Sequence, residues 1–195
     1  MIAYLKGTFD FKSAAVLYID VHGVGYEVFI SLHTFTALQQ KKEGLVYTYL
    51  QIKEDAHTLY GFAELPEKEL FLQLISVSGI GANTARMMLS SMRPEEVSRA
   101  IANADTRLLE SIKGIGKKTA ERVVLELKDK LGKTMLQEQI ASGFGYSNAE
   151  KDGVNALIAL GIARNIAEQA VKKAIVQLGA DALVEDTIKK ALQLI

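Results

Sequence analysis

A chain of 195 residues, 49% hydrophobic and 24% charged, carries enough apolar surface for one sizeable core or several small ones. It has no cysteine, which excludes a disulfide framework and thiolate-held zinc or iron–sulfur sites. Its formal net charge of zero argues against a simple polycation that coats nucleic acid. The N-terminus shows no basic stretch leading into an apolar one, and no apolar run approaches the ~18 residues of a membrane span. A cytoplasmic protein without membrane contact is therefore expected.

From Ile2 to Phe62 the apolar residues alternate with a period near two, as in Val16-Leu17-Tyr18-Ile19-Asp20-Val21 and Val46-Tyr47-Thr48-Tyr49-Leu50. Strands are expected near 2–10, 14–22, 25–31, 45–54 and 57–63, with Gly23-Val24-Gly25 punctuating the second and third. Thr34 to Gln40 reads as a helical interruption. Five short strands in so little chain suggest closure, because closure removes exposed edges. An OB-type barrel is the first expectation and an SH3-like barrel the alternative.

At Leu65-Pro66 the period changes to that of a helix, with Leu70, Phe71, Leu74 and Ile75 on one side. Helices are expected to continue to about Leu131. Charge is uneven along the chain: residues 1–64 carry five Lys/Arg against seven Asp/Glu, and residues 65–141 carry twelve against ten. Lys113, Lys117, Lys118, Arg122, Lys128, Lys130 and Lys133 form a local basic run, the kind of footprint a polyanion recognises. The periodicity then fades, and Ser142 to Asn148 reads as a flexible linker. Three short amphipathic helices follow from Ala149, interrupted at Gly161 and Gly179. The expected fold class is α+β multidomain: a five-stranded barrel over 1–64, an all-α tandem over 65–141, a linker over 142–148 and a three-helix bundle over 149–195.

The most informative feature is an internal repeat. Val77-Ser78-Gly79-Ile80-Gly81-Ala82-Asn83-Thr84-Ala85 aligns with Ile112-Lys113-Gly114-Ile115-Gly116-Lys117-Lys118-Thr119-Ala120 at an offset of 35. Two glycines around one aliphatic residue allow a tight turn and a close approach of main chain to a phosphate. The N–H groups that open the next helix then face that phosphate, and the helix dipole adds partial positive charge. Contacts of this kind position a protein on a nucleic-acid backbone without reading its sequence. Two nucleotide-binding readings fail. Gly116-Lys117-Lys118-Thr119 lacks the spacing of a Walker loop, and Thr84 and Thr119 stand where the dinucleotide fingerprint needs a third glycine.

The two copies resemble helix–hairpin–helix motifs, and the whole chain resembles the RuvA family, the Holliday-junction-binding subunits of bacterial branch-migration complexes. The specific pieces are Gly23-Val24-Gly25-Tyr26-Glu27-Val28, Glu54-Asp55-Ala56 with Leu59-Tyr60-Gly61-Phe62, and Gly114 through Arg122. The resemblance implies a homotetramer around four-way junction DNA and a C-terminal domain, residues 149–195, that engages the hexameric RuvB ATPase. It admits the RuvC resolvase as a further partner. It implies neither cofactor nor metal and no catalytic activity in this chain alone. The residues expected on the DNA backbone are Gly79, Ile80, Gly81, Asn83, Thr84 and Arg86 in the first copy. In the second they are Gly114, Ile115, Gly116, Lys117, Lys118, Thr119 and Arg122. The first copy departs from the family where Asn83 stands in place of a frequent lysine, which shifts weight to backbone, Thr84 and Arg86.

Glu54 and Asp55, beside His57, are too few to hold a metal. A solvated hairpin tip is the default for them, and the resemblance adds an acidic pin that repels phosphate at a junction centre. His22 and His33 are isolated, and read as structural or surface groups. A helix–hairpin–helix repair enzyme, glycosylase or nuclease, would need a catalytic Lys or Asp or a metal cluster, and none stands out. A plain scaffold, with hairpins serving only packing, is the third reading.

Overall fold

The structure, a computed structural model, describes residues 1–128, 148–179 and 182–195, without the side chains of 148, 149 and 151. It divides into two compact units, Met1–Thr134 and Met135–Ile195. Residues 142–147 of the expected linker, Lys130, Lys133 and the helix end near Leu131 lie outside the described residues. Asn148, expected to close the linker, is instead the first residue of a helix.

The first unit opens with strands β1 (Tyr4–Lys12), β2 (Val16–Val21) and β3 (Val24–Ile30). Helix α1 (Leu32–Leu38) comes next, then β4 (Glu43–Ile52) and β5 (His57–Phe62). They close in the order β1-β2-β3-β5-β4, with β1 pairing β4 and β3 running parallel to β5. That order, with a helix between the third and fourth strands, is an OB-type barrel, not an SH3-like one. The turn between β2 and β3 falls on His22-Gly23, where φ is 52° and 87°, and Val21 pairs with Val24. A two-residue turn with both central φ values positive matches the twist of the flanking strands. Gly25, expected in the punctuation, instead pairs with Asp20 inside the ladder.

Leu5, Phe9, Leu17, Ile19, Val28, Ile30, Leu38, Val46 and Leu59 fill the barrel. Gly61 lies among them, and a Cβ there would come within 2.4 Å of Val28 Cγ1 and 2.9 Å of Val46 Cγ1. Because strand side chains alternate, the neighbours of Leu59 and Gly61 point outward. Those neighbours, Tyr60 and Phe62, belong to the core of the helical segment. Barrel and helices thus share a seam.

The helical segment is α2 (Leu65–Ile75), α3 (Ala82–Ser91), α4 (Pro94–Ala102), α5 (Thr106–Glu110) and α6, helical over the described residues 117–128. Pro66 sits in the first turn of α2, where a missing N–H costs nothing. Asp105 caps α5 by accepting the Leu108 N–H at 3.1 Å. The second unit holds α7 (Asn148–Ala159), α8 (Arg164–Leu178) and α9 (Val184–Gln193), packed around Leu157, Ala167, Ala170, Val171, Ala174 and Ala191.

A buried carboxyl also fastens the helices to the barrel. Glu67, on α2, accepts hydrogen bonds from Ser31 Oγ and, at 2.6 Å, from Thr34 Oγ1. Ser31 in turn caps α1, and Thr34 Oγ1 accepts the Ala63 N–H at 3.0 Å. Burial pushes the Glu67 pKa above its ordinary value of 4.5, against the two hydroxyl donors and the nearby His33, while Glu64 adds to the rise. A carboxyl with a raised folded-state pKa binds its proton more tightly folded than unfolded. Its stabilising contribution is full below 4.5 and is lost as pH rises through the folded value. Denaturation of wild type and Glu67→Gln between about pH 4 and 7 should therefore show the Gln chain gaining relative stability as pH rises. Parallel curves would contradict this.

Candidate nucleic-acid interface

The two repeat copies fold as matched helix–turn–helix units, one joining α2 to α3 and the other joining α5 to α6. Gly79 and Gly114 take φ values of 95° and 92°, a region that L side chains rarely adopt. In each turn the Ile N–H donates three residues back: Ile80 to Val77 O at 3.0 Å, Ile115 to Ile112 O at 3.0 Å. Both isoleucines are 5% exposed and belong to the same core, so they pin the turns while the flanking glycines stay at the surface.

The helices then begin in the same way. Ala85 N–H bonds Gly81 O at 2.9 Å, and Ala120 N–H bonds Gly116 O at 2.9 Å. The amides before those bonds, at Ala82 and Asn83 or at Lys117 and Lys118, are the donors that a helix leaves without an internal partner. Gly81, the cap of α3, provides no side-chain acceptor for them. Two sets of outward N–H groups therefore flank the N-termini of α3 and α6, each suited to an anionic oxygen.

The side chains around these groups differ. Lys117 and Lys118 are both exposed at the start of α6, and Thr119 is half-buried behind them. The first copy has Ala82, 3% exposed, and an exposed Asn83 at the equivalent places. Asn83 Oδ1 accepts from the Tyr60 hydroxyl of β5 at 3.3 Å. Arg86 lies against the barrel. Its Nη1 donates to Ala15 O at 3.0 Å and to Ile30 O at 3.5 Å, and its guanidinium lies 5.5 Å from the centroid of the Phe29 ring. Its charge is used to clamp α3 to the barrel. Arg122 joins the two copies: Nη1 donates to Ser78 O, in the first turn, at 3.1 Å.

Glu54 and Asp55 stand in the loop between β4 and β5, closed by Lys53 N–H to Ala56 O at 2.9 Å, and both are exposed. Among the described residues no group of three or more His, Cys, Asp or Glu could hold a metal. His22 is a turn residue with positive φ, and His33 is a half-buried residue of α1. Among the described residues no helix is long and apolar enough to cross a membrane. The sequence alone does not reveal Tyr60 and Phe29 as neighbours of α3. They are distant in the chain from the glycines, and only the outward alternation of their strands hints at a packing role.

Known proteins resemble this chain in each of its parts. The model of the RuvA N terminal domain matches residues 1–61 and that of the SAM-like helix-hairpin-helix tandem matches 71–129. The RuvA C-terminal domain matches 148–195. The Holliday junction branch migration complex subunit RuvA of Christiangramia forsetii is 47% identical over 193 residues, covering 99% of each chain. The protein of the same name from Flavobacterium psychrophilum is 48% identical over 194 residues, again 99% of each. That from Cytophaga hutchinsonii is 44% identical over 198 residues and 100% of both. Matched glycine turns on an OB-type barrel, three consecutive domain matches and this level of full-length identity together establish that the chain belongs to the RuvA family.

Proposed function

We propose that this protein binds four-way DNA junctions through the sugar-phosphate backbone and directs a RuvB-type ATPase to them for branch migration in recombination and repair. It is a binding subunit with no catalytic activity of its own. The observation that carries the reading is the pair of matched glycine turns, each presenting helix-start amides at the surface of one compact unit. The relatives named above are branch-migration subunits along their full length, and none of their names denotes a glycosylase or a nuclease.

Gly79, Ile80, Gly81, Asn83 and Thr84 form the first phosphate seat in this reading, and Gly114, Ile115, Gly116, Lys117, Lys118 and Thr119 the second. Arg122 spans the two, and Arg86 contributes by holding α3 in place. A homotetramer would array these seats around the four arms. RuvC, which resolves junctions, is a further partner this reading admits. Residues 149–195 would take the motor: Val176 on α8 is 85% exposed and Leu183, the cap of α9, is 71% exposed, apolar side chains that water does not reward.

Fluorescence anisotropy with a four-way junction and a linear duplex of equal length tests the DNA reading. The junction should bind more tightly at every salt concentration. Lys117→Ala with Lys118→Ala should weaken binding on any sequence and lower the log–log salt slope by about one for each phosphate no longer neutralised. An unchanged affinity and slope would remove the hairpins from the interface.

A chain ending at Gly143 tests the division of labour. It should retain junction binding and lose stimulation of RuvB-driven branch migration. Full stimulation by the shortened chain would place the motor contact elsewhere.

The exposed Glu54-Asp55 tip is the acidic pin of this reading. Four such tips converging on a junction would repel phosphate and disfavour continuous duplex across the centre. Glu54→Gln with Asp55→Asn keeps the shape and removes the charge. Linear duplex binding should then tighten more than junction binding, lowering the junction-to-duplex ratio. A wild-type ratio with normal branch-migration rates would return the tip to a solvated loop.

A further inference from the structure

The first turn lacks the lysines of the second, yet its Asn83 side chain has a partner on the barrel. Asn83 is exposed, and its Oδ1 faces the Tyr60 hydroxyl at 3.3 Å. Tyr60 itself cannot move to suit. It is 3% exposed, with ring centroids of Phe29 at 6.2 Å and Phe71 at 5.4 Å. Arg86 covers Phe29 and is tied to two barrel carbonyls. A buried phenol needs an acceptor for its O–H, and the Asn83 oxygen is the one it reaches. Burial raises the Tyr60 pKa above its ordinary 10.0, with Arg86 lowering it and Tyr49 adding to the rise, so the hydroxyl keeps the proton it donates.

A carboxamide has two ends. Oxygen and nitrogen share one planar carbon, so holding the oxygen also limits where Nδ2 can lie, and among the described residues Nδ2 has no hydrogen-bond acceptor. Asn83 stands in the first turn of α3, where the Ala82 and Asn83 backbone amides also lack an internal partner. We propose that Tyr60 is a positioning residue for the first hairpin: by gripping Asn83 through its oxygen, it presents the Asn83 Nδ2 protons to the DNA phosphate seated on the first turn of α3. The barrel thereby takes part in backbone binding without touching DNA at this point. The second hairpin meets its phosphate with mobile charge from Lys117 and Lys118, and the first with a neutral donor fixed in advance.

This inference rests on the phosphate reading of the hairpins, and the test separates the two. Tyr60→Phe removes one oxygen and keeps the ring. Junction affinity of the full chain is measured by anisotropy for Tyr60→Phe, Asn83→Ala and the double variant at several salt concentrations. Each single change should weaken binding by roughly threefold to tenfold, and the double should be no weaker than Asn83→Ala alone. The salt slope should stay at the wild-type value, because no charge is removed. Asn83→Lys provides the decisive background. It should raise the slope by about one, and Tyr60→Phe should then have no effect, since an ammonium needs no partner to orient it. A fall caused by Tyr60→Phe that persists undiminished in the Asn83→Ala and Asn83→Lys backgrounds would mean a general packing defect and overturn the proposal. So would wild-type affinity for Tyr60→Phe and Asn83→Ala alongside weakened binding by the Lys117→Ala, Lys118→Ala chain. If the lysine changes were also silent, the phosphate reading itself would fall.

Discussion

The interaction on which the placement of the glycine turns depends is made by Phe71. Its ring is fully buried on α2 and meets Tyr49 at 5.6 Å, Tyr60 at 5.4 Å and Phe62 at 4.9 Å, all from barrel strands. Aromatic pairs at such separations contribute about 0.5–1.5 kcal/mol each beyond the area they bury. The consequence is orientation as much as stability. The helical core that anchors Ile80 and Ile115 is continuous with Tyr60 and Phe62, so the glycine turns cannot tilt independently of the barrel. The polar contacts run along the same seam: Glu67 to Ser31 and Thr34, Arg86 to Ala15 and Ile30.

Within that frame the two turns carry different side chains, exposed Lys117 and Lys118 in one and exposed Asn83 in the other. Backbone amides at a helix start are fixed by the helix itself, so they reach a phosphate without losing side-chain entropy. Lysines add long-range attraction that salt weakens, whereas a neutral amide adds direction that salt leaves alone. The Arg122 bond to Ser78 O ties the turns together, so a shift at one is felt at the other. Exposed i,i+4 pairs such as Arg164–Glu168 and Lys189–Glu185 contribute only about a few tenths of a kcal/mol each, and the fold rests on apolar packing.

The second unit has a small core, rich in alanine: Ala167, Ala170, Ala174 and Ala191 with Leu157 and Val171. Small side chains let α7, α8 and α9 approach closely but bury little area apiece. The large apolar residues Leu160, Val176 and Leu183 remain at the surface, at 64%, 85% and 71% exposure. A module built this way leaves large apolar side chains in water.

Much of this was legible in one dimension. Period-two alternation marked five strands within a few residues of their ends, and the change of period at Leu65-Pro66 marked the helices. The repeat marked both turns, because positive φ at Gly79 and Gly114 is a local backbone requirement that only glycine meets cheaply. Local chemistry leaves such marks. The sequence could not show that β5 divides its faces between two cores, nor that His22-Gly23 rather than Gly23-Val24-Gly25 makes the turn. Register is settled by which ladder pairs form. The fate of Arg86 was equally hidden. In the sequence it stands only beside a glycine turn, while the fold places two barrel carbonyls and Phe29 within its reach. The sequence by itself determined the elements, the turns and the family, since these follow from neighbours in the chain. Tertiary structure alone decided the uses of Tyr60, Glu67 and Arg86, because each acts through partners that only chain closure brings near.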